Sequence, residues 1–240
     1  AGTQKLEELT GKAFPQARIL RMDADTTARK GGHEEILAAF SAHEADILIG
    51  TQMIVKGHDF GNVTLVGIMA ADLSLNTPDY RCSERTFQLL TQAAGRAGRG
   101  SLSGNVVIQT YQPEHYAIVT AAEQNYEEFY RREMLYRKMM NYPPACYMEA
   151  VLFAGNNEKT VERCSDLALS TVRKMEYEEN EIQMIGPVRA PVYKVNDIYR
   201  KILYIKSKNC DILDKIRRNI ELLAAGDDGF KSLALQFDIS

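Results

Sequence analysis

At 240 residues, with 45% hydrophobic and 25% charged side chains, the chain has a globular composition and can bury a sizeable core in one large domain or two ordinary ones. A formal net charge of -3 excludes a general nucleic-acid-binding field, so any such binding must rest on local basic patches. The cysteines Cys82, Cys146, Cys164 and Cys210 form no C-x-x-C pair, which argues against a zinc site and fits a reducing cytosol, and no apolar run is long enough for a leader or a bilayer span.

The chain opens at Ala1-Gly2-Thr3 without a methionine, which reads as an excised fragment. Thr3 is expected to cap a first helix with Leu6 and Leu9 inward and Pro15 as its stop. Residues 17–22 read as a short strand ending at Asp23-Ala24-Asp25-Thr26-Thr27, where turn chemistry accounts for the paired carboxylates better than a metal does. A second helix is expected over 33–42, with Ile36, Leu37 and Phe40 on one side. The short apolar runs at 46–50 and 64–69 fit strands of a parallel sheet. A helix over 83–94 follows, with Ser83 as N-cap and Phe87, Leu90 and Ala94 at helical spacing, and then a strand over 105–110. This alternation predicts an α/β sheet whose ligand edge lies beyond the strand C-termini.

From Pro113 to about residue 140 the pattern is one long helix. Tyr126, Phe129, Tyr130, Tyr136 and Tyr142 interleave there with Arg131, Arg132, Arg137 and Lys138. Such a helix either stacks and neutralises a nucleic-acid strand or packs with a solvated basic face. Tyr142-Pro143-Pro144 ends it and marks a domain boundary. The remainder reads as strand 147–153, helix 157–175, strand 182–185 meeting Gly186-Pro187, a hairpin of 188–195 and 198–207 across Asn196-Asp197, helix 211–223 and strand 233–239. That β-α-β-β-α-β order predicts a ferredoxin-like domain. Its hairpin carries Arg189, Lys194, Arg200, Lys201, Lys206 and Lys208, as a phosphate-binding ribbon or as an edge protected by charge.

Two motifs carry chemistry. In Gln92-Ala93-Ala94-Gly95-Arg96-Ala97-Gly98-Arg99-Gly100, a continuing helix would align Gln92, Arg96 and Arg99, and Gly98 and Gly100 would end it. Paired guanidinium forks beside glycines suit a polyphosphate, whereas a lone motif of this kind is a basic helix end. The second motif is Thr51-Gln52-Met53-Ile54-Val55-Lys56-Gly57-His58-Asp59-Phe60, straight after a strand. Thr51 and Gln52 can bind phosphate, Gly57 permits an unusual backbone and Asp59 can accept a sugar hydroxyl. His58 has no partner at metal spacing among His33, His43 and His115, and reads as a loop histidine.

This pair of motifs resembles motifs V and VI in the second RecA-like lobe of superfamily-two helicases. Arg21-Met22-Asp23-Ala24-Asp25-Thr26 resembles their motif IV region. Ala71-Asp72, Leu75-Asn76-x-Pro78-Asp79-Tyr80-Arg81, Glu84-Arg85-Thr86-Phe87-Gln88-Leu89-Leu90, Ile108-Gln109-Thr110-Tyr111-x-Pro113, Tyr142-Pro143-Pro144, Gly186-Pro187 and Tyr199-Arg200 are similar to the PriA family of bacterial replication-restart helicases. Gly61 stands where that family often has proline.

The resemblance implies a RecA-like helicase lobe 2 over 1–112, a helical connector over 113–144 and a ferredoxin-like α+β domain over 145–240. It implies part of an ATP-dependent 3′-to-5′ DNA helicase that recognises stalled or branched forks and starts primosome assembly in the cytoplasm. By resemblance Arg99 is the arginine finger with Arg96 beside it, the two roles being interchangeable on sequence. Gln92, Gly57 and Asp59 couple to nucleotide, and Thr51 and Gln52 contact the DNA backbone, with Arg200 and Lys201 as further DNA contacts in the hairpin. The implied partners are forked and single-stranded DNA, single-strand-binding protein and other primosome proteins, with no membrane.

ATP and Mg²⁺ would be shared with a first lobe that this chain lacks, since no G-x-x-x-x-G-K-S/T loop and no acidic box occurs. Gly11-Lys12-Ala13 lacks both the loop and the hydroxyl. Zinc belongs to the full-length family pattern, upstream of this region, and none is expected here. The fragment alone is therefore expected not to hydrolyse ATP. The alternatives are a non-catalytic module that holds DNA or a partner, and the second lobe of another fork-remodelling helicase.

Overall fold

The computed structural model describes residues 2–28, 31–55, 60–98, 103–178 and 180–240. The chain forms two compact units, residues 1–129 and 130–240.

In the first unit, α1 (Thr3–Ala13) stops just before Pro15. Its N-cap is Gly2, already extended, so Thr3 does not cap. Thr3 instead donates its hydroxyl to the Asp23 carboxylate. Leu9, expected inward, is 50% exposed. After β1 (Ile19–Met22), Asp23 accepts from the N–H groups of Asp25 and Thr26, which is turn chemistry as expected. Next come α2 (Gly32–Ser41) and β2 (Ile47–Gly50), the latter parallel to β1. Met22, Leu37 and Phe60 form a small core there. A 3₁₀ turn over Gln52–Val55 follows β2.

The unit continues with β3 (Leu65–Ile68), α3 (Asp72–Leu75), α4 (Cys82–Ala94), β4 (Asn105–Ile108), α5 (Tyr116–Ala122) and α6 (Tyr126–Met139), which crosses into the second unit. Strand β4 is parallel to β3. Among the described residues the parallel strands form two pairs, β1–β2 and β3–β4. Ile68 and Ile108 pack on a core of Phe87, Leu90, Ala117, Ile118 and Phe129, while Leu65 and Val107 lie exposed on the opposite face. Pleated strands alternate their side chains, so helices on one side bury only every second residue.

Two expectations are corrected in this unit. Ser83 is not the N-cap of α4; that position is Arg81, and Ser83 is buried within the first turn. Among the described residues no side chain caps α4; the Asp79 carboxylate accepts the Arg81 N–H at 2.9 Å in a turn just ahead of the helix. The long helix from Pro113 is broken into α5 and α6. Gln124 is left-handed, with φ 53, and the Asn125 side chain accepts the Glu128 N–H at 3.0 Å, so a new helix is capped where the old one would run on.

The second unit continues with β5 (Tyr147–Gly155), α7 (Glu158–Arg173), β6 (Ile182–Val195), β7 (Ile198–Ser207), α8 (Cys210–Gly226), α9 (Asp228–Lys231) and β8 (Ala234–Ile239). Their strands form one antiparallel sheet in the order β6-β7-β5-β8. Strand β6 joins the segments read as 182–185 and 188–195, bulging at Gly186-Pro187 and continuing to the hairpin. Asn196 and Asp197 both take positive φ, 48 and 60, the geometry of a tight two-residue hairpin turn. Asn157 and Asn209 cap α7 and α8 with their side chains. Val151, Phe153, Leu203, Ile205, Val161, Ala168, Leu213, Ile216 and Ile220 close one core between these helices and one sheet face. Full burial of side chains of this kind is worth about 1.5–3 kcal/mol each before ordering costs.

Candidate functional site

Helix α4 buries Phe87, Leu90, Ala93 and Ala94 and leaves Gln92 exposed. Past Ala94 the chain tightens, because Arg96 N–H donates to Ala93 at 3.0 Å and Ala97 N–H to Ala94 at 3.2 Å. These are three-residue steps, so the expected helical face joining Gln92, Arg96 and Arg99 ends at Ala94. Arg96 is half-buried in this turn, and Arg99 lies outside the described residues. Gly98 takes φ 72 and donates its N–H to Val63 at 3.0 Å. Asn105 donates to the neighbouring Thr64 at 2.8 Å, and a side chain on Gly104 would collide with Ala97 and the Gly98 nitrogen. Gly98 and Asn105 are therefore held at one point, the start of β3.

Strand β2 ends at Gly50, where any Cβ would strike the Met22 carbonyl and the Ile54 side chain. Thr51 and Gln52 follow, both exposed, at the C-terminal end of a parallel strand. That is the end at which open parallel sheets receive ligands. Helix α4 packs against the 3₁₀ turn, so the two motifs are neighbours within one unit. Gly57, His58 and Asp59 lie outside the described residues.

Two carboxylates near these motifs carry more structure than their sequence positions announced. Asp72 is buried, accepting the Thr110 hydroxyl at 2.8 Å and the Tyr111 N–H at 3.0 Å. The Tyr111 N–H, followed by the Thr110 hydroxyl, keeps its carboxyl below the usual range despite burial. It thereby ties α3 to the segment leaving β4. Asp79 pairs with Arg85 at 2.8 Å and with Arg81 at 3.2 Å. Burial raises the Asp79 carboxyl, and the Arg81 N–H and guanidinium together with Arg85 outweigh that, so it stays lowered. An Asp two residues before an Arg at a helix start was the available signal.

The hairpin is less open than a basic ribbon. Register places Arg200 opposite Ala154 and Lys201 opposite Phe153, on opposite faces of the sheet. Lys201 lies on the helix-bearing face, 3.6 Å from Glu162. Arg189 stacks over Tyr193 at 4.4 Å, and Lys194 pairs with Asp197 at 2.9 Å. Lys206 is 3% exposed, with its ammonium 3.6 Å from the Tyr142 ring centre and 3.2 Å from the Met140 carbonyl. Burial lowers the Lys206 amine from its usual value. A buried lysine closing the end of a helix is not a surface phosphate contact.

The aromatic and basic helix divides in the same way. Phe129 is buried and stacks on Phe87 at 4.2 Å. Arg137 is buried, 2.7 Å from Glu133 and donating to the Pro143 carbonyl at 2.9 Å. These two residues pack, whereas Tyr126 and Tyr130 are mostly exposed. Among the described residues no group of three or more His, Cys, Asp or Glu side chains is placed to hold a metal ion. All four cysteines are free, and no helix of the described residues is long and apolar enough to cross a membrane.

Residues 2–101 match the helicase conserved C-terminal domain, which makes the first part of the chain a RecA-like second helicase lobe. Residues 138–239 match the primosomal protein N C-terminal domain. Replication restart protein PriA of Bacillus subtilis (strain 168) is 44% identical over 224 residues, covering 91% of this chain and 27% of that protein. The PriA of Synechocystis sp. is 42% identical over 214 residues, 86% of this chain and 24% of that protein, and the PriA of Chlamydia pneumoniae 39% over 207 residues, 86% and 27%. The chain belongs to the PriA family and corresponds to its C-terminal part. It spans about a quarter of the length of these relatives.

Proposed function

We propose that this chain is the second motor lobe and C-terminal domain of an ATP-dependent 3′-to-5′ DNA helicase that recognises stalled or branched replication forks and starts primosome assembly. The observation that carries the reading is the succession, in one chain, of a helicase C-terminal domain and a primosomal protein N C-terminal domain. Four free cysteines accord with a cytoplasmic site of action. For the second unit we adopt a ferredoxin-like fold, supported by the β-α-β-β-α-β order and the strand sequence β6-β7-β5-β8.

In this reading Arg99 acts as the arginine finger, with Arg96 beside it, and Gln92, Gly57 and Asp59 couple nucleotide to the lobe. The donor set at the end of α4, an exposed amide and a guanidinium on neighbouring turns, suits phosphate oxygens. ATP, when bound, supplies the phosphoryl transfer. The residues of this chain orient its terminal phosphate and balance charge there, while the phosphate loop and the Mg²⁺ carboxylates belong to a first lobe that this sequence does not contain. Thr51 and Gln52 hold the DNA backbone at the end of β2. Arg200 adds a contact in the hairpin; Lys201, the other residue read as a DNA contact, lies on the opposite face beside Glu162, so DNA along the Arg200 face does not meet it. Forked and single-stranded DNA are the substrates, and single-strand-binding protein and other primosome proteins the partners.

For the isolated chain the reading is a binding module without turnover. Purified chain should bind forked DNA and show no DNA-stimulated ATP hydrolysis, and a longer protein that restores the upstream lobe should hydrolyse. Hydrolysis by the isolated chain would overturn the assignment of the phosphate loop to another lobe.

A further inference from the structure

Among the described residues Glu149 is the most deeply buried carboxylate of the second unit, 1% exposed as the third residue of β5. Register places Ile205 of β7 on one side of it and Ile239 of β8 on the other. It shares its sheet face with Val151 and Phe153, the face covered by Ile212, Leu213, Ile216 and Ile220 of α8. Helix α7 contributes Val161, Cys164, Ala168 and Val172 to the same core, with the Cys164 thiol raised by burial and so neutral. Both Glu149 carboxyl oxygens are buried with no hydrogen-bond partner among the described residues. An ionised carboxylate in such a place loses its hydration without replacement, so the neutral form is strongly favoured.

The charges that act most on Glu149, those of Arg217, Asp214 and Glu221, stand on α8. Arg217 favours ionisation, but it donates to Asp214 at 3.0 Å and its side chain is 37% exposed. Asp214 and Glu221 oppose ionisation. Lys206, next to Ile205 on β7, projects to the other face, towards Tyr142. Thus Arg217, the cation that acts on Glu149 from α8, is held by a carboxylate closer to solvent.

We propose that Glu149 is a proton-operated latch in the C-terminal unit: protonated, it lies neutral between β7 and β8 under α8; ionised, it draws Arg217 away from Asp214 and loosens the hold of α8 on the β5–β8 edge. Burial pushes its carboxyl up to about 7, with Arg217 pulling down and Asp214 and Glu221 adding to the rise, so the exchange falls near neutral pH. Because the folded form holds the proton more tightly than the opened form, closure is firmest below about pH 4.3 and weakens as pH rises to about 7.

The direct test is the side-chain carboxyl resonance of Glu149, followed by NMR in the purified 240-residue chain. The expected midpoint is near 7, and a midpoint between 4 and 5 would overturn the latch. Hydrogen exchange over 234–239, corrected for the intrinsic pH dependence, should quicken on the order of 10²-fold from pH 5 to pH 8. In Glu149→Gln, which is isosteric and cannot ionise, that acceleration should vanish; an equal acceleration in the variant would reject the proposal. Arg217→Gln should move the Glu149 midpoint upward, and an unmoved midpoint would remove Arg217 from it. The resonance is read in the native chain, so a poorly folding variant does not shield the proposal.

Discussion

The two units are of similar length and hold themselves together differently. The second closes one core of Val151, Phe153, Leu203, Ile205, Leu213, Ile216 and Ile220 between a four-stranded antiparallel sheet and two capped helices. The first distributes its burial over two smaller clusters, one under α2 and one between α4 and α5, each beside a pair of parallel strands. Its strand C-termini and helix ends carry motif residues in exposed positions: Thr51, Gln52 and Gln92. The difference teaches where each unit places its polar groups. In the lobe the motif residues Thr51, Gln52 and Gln92 face outward, while Asp23 and Asp72 are buried on local hydrogen bonds. In the C-terminal unit several of the most basic or acidic side chains, Lys206, Arg137, Glu133 and Glu149, are taken inside.

The largest expected effect breaks the comparison on the lobe's side. In the full-length protein Arg99→Ala should reduce DNA-stimulated ATP hydrolysis by on the order of 10³–10⁵, and Arg99→Lys should restore little, because an ammonium lacks the planar fork. Fork binding and melting temperature should be unchanged; near-native hydrolysis by the alanine variant would refute the finger assignment. Next in size is Phe153→Ala, which opens a cavity in the single core of the second unit. It should destabilise that unit by about 3–5 kcal/mol, with hydrogen exchange accelerating over 145–240 and not over 1–112. Acceleration in both ranges would show that the units do not unfold separately.

A smaller effect sharpens the picture of the second unit. Asn157→Ala removes the side-chain cap of α7, which accepts the Thr160 N–H at 3.2 Å, and should cost about 1 kcal/mol in denaturant titration. The smallest effect separates the two faces of the sheet. Arg200→Gln should lower the salt slope of DNA binding by about one, and Lys201→Gln, whose lysine faces Glu162, should leave it nearly unchanged. Equal slopes for the two variants would mean that DNA does not follow the face that carries Arg200.

Much of this organisation is legible in the sequence. The β-α-β-β-α-β succession after Pro144 follows from period-two runs and from Asn-led helices, and the Asn196-Asp197 turn names its own hairpin. The lobe motifs are legible because glycine and arginine stand at fixed spacing. What sequence cannot yield is the fate of a polar side chain once strands pair. Lys206 and Lys201 both read as ribbon bases, yet register sends one under Tyr142 and the other to Glu162. The α5–α6 break was hidden because Asn125 and Gln124 are tolerated in a helix, and only the left-handed backbone at Gln124 reveals the cap. Ser83 misled for a related reason: the helix starts one residue earlier, at Cys82, after a turn closed by Asp79.

The joined feet of the stretch 98–104 have a consequence for its length. Gly98 and Asn105 are held by adjacent carbonyls, at Val63 and Thr64, so the two ends of this stretch are fixed at one place by the fold. Doubling the length of such a loop adds only about 0.6 kcal/mol to its closure cost. Insertions there should therefore leave the lobe folded and, in the proposed finger reading, carry Arg99 away from the phosphate. On that reading a longer stretch costs ATP hydrolysis in the full-length protein and spares the fold.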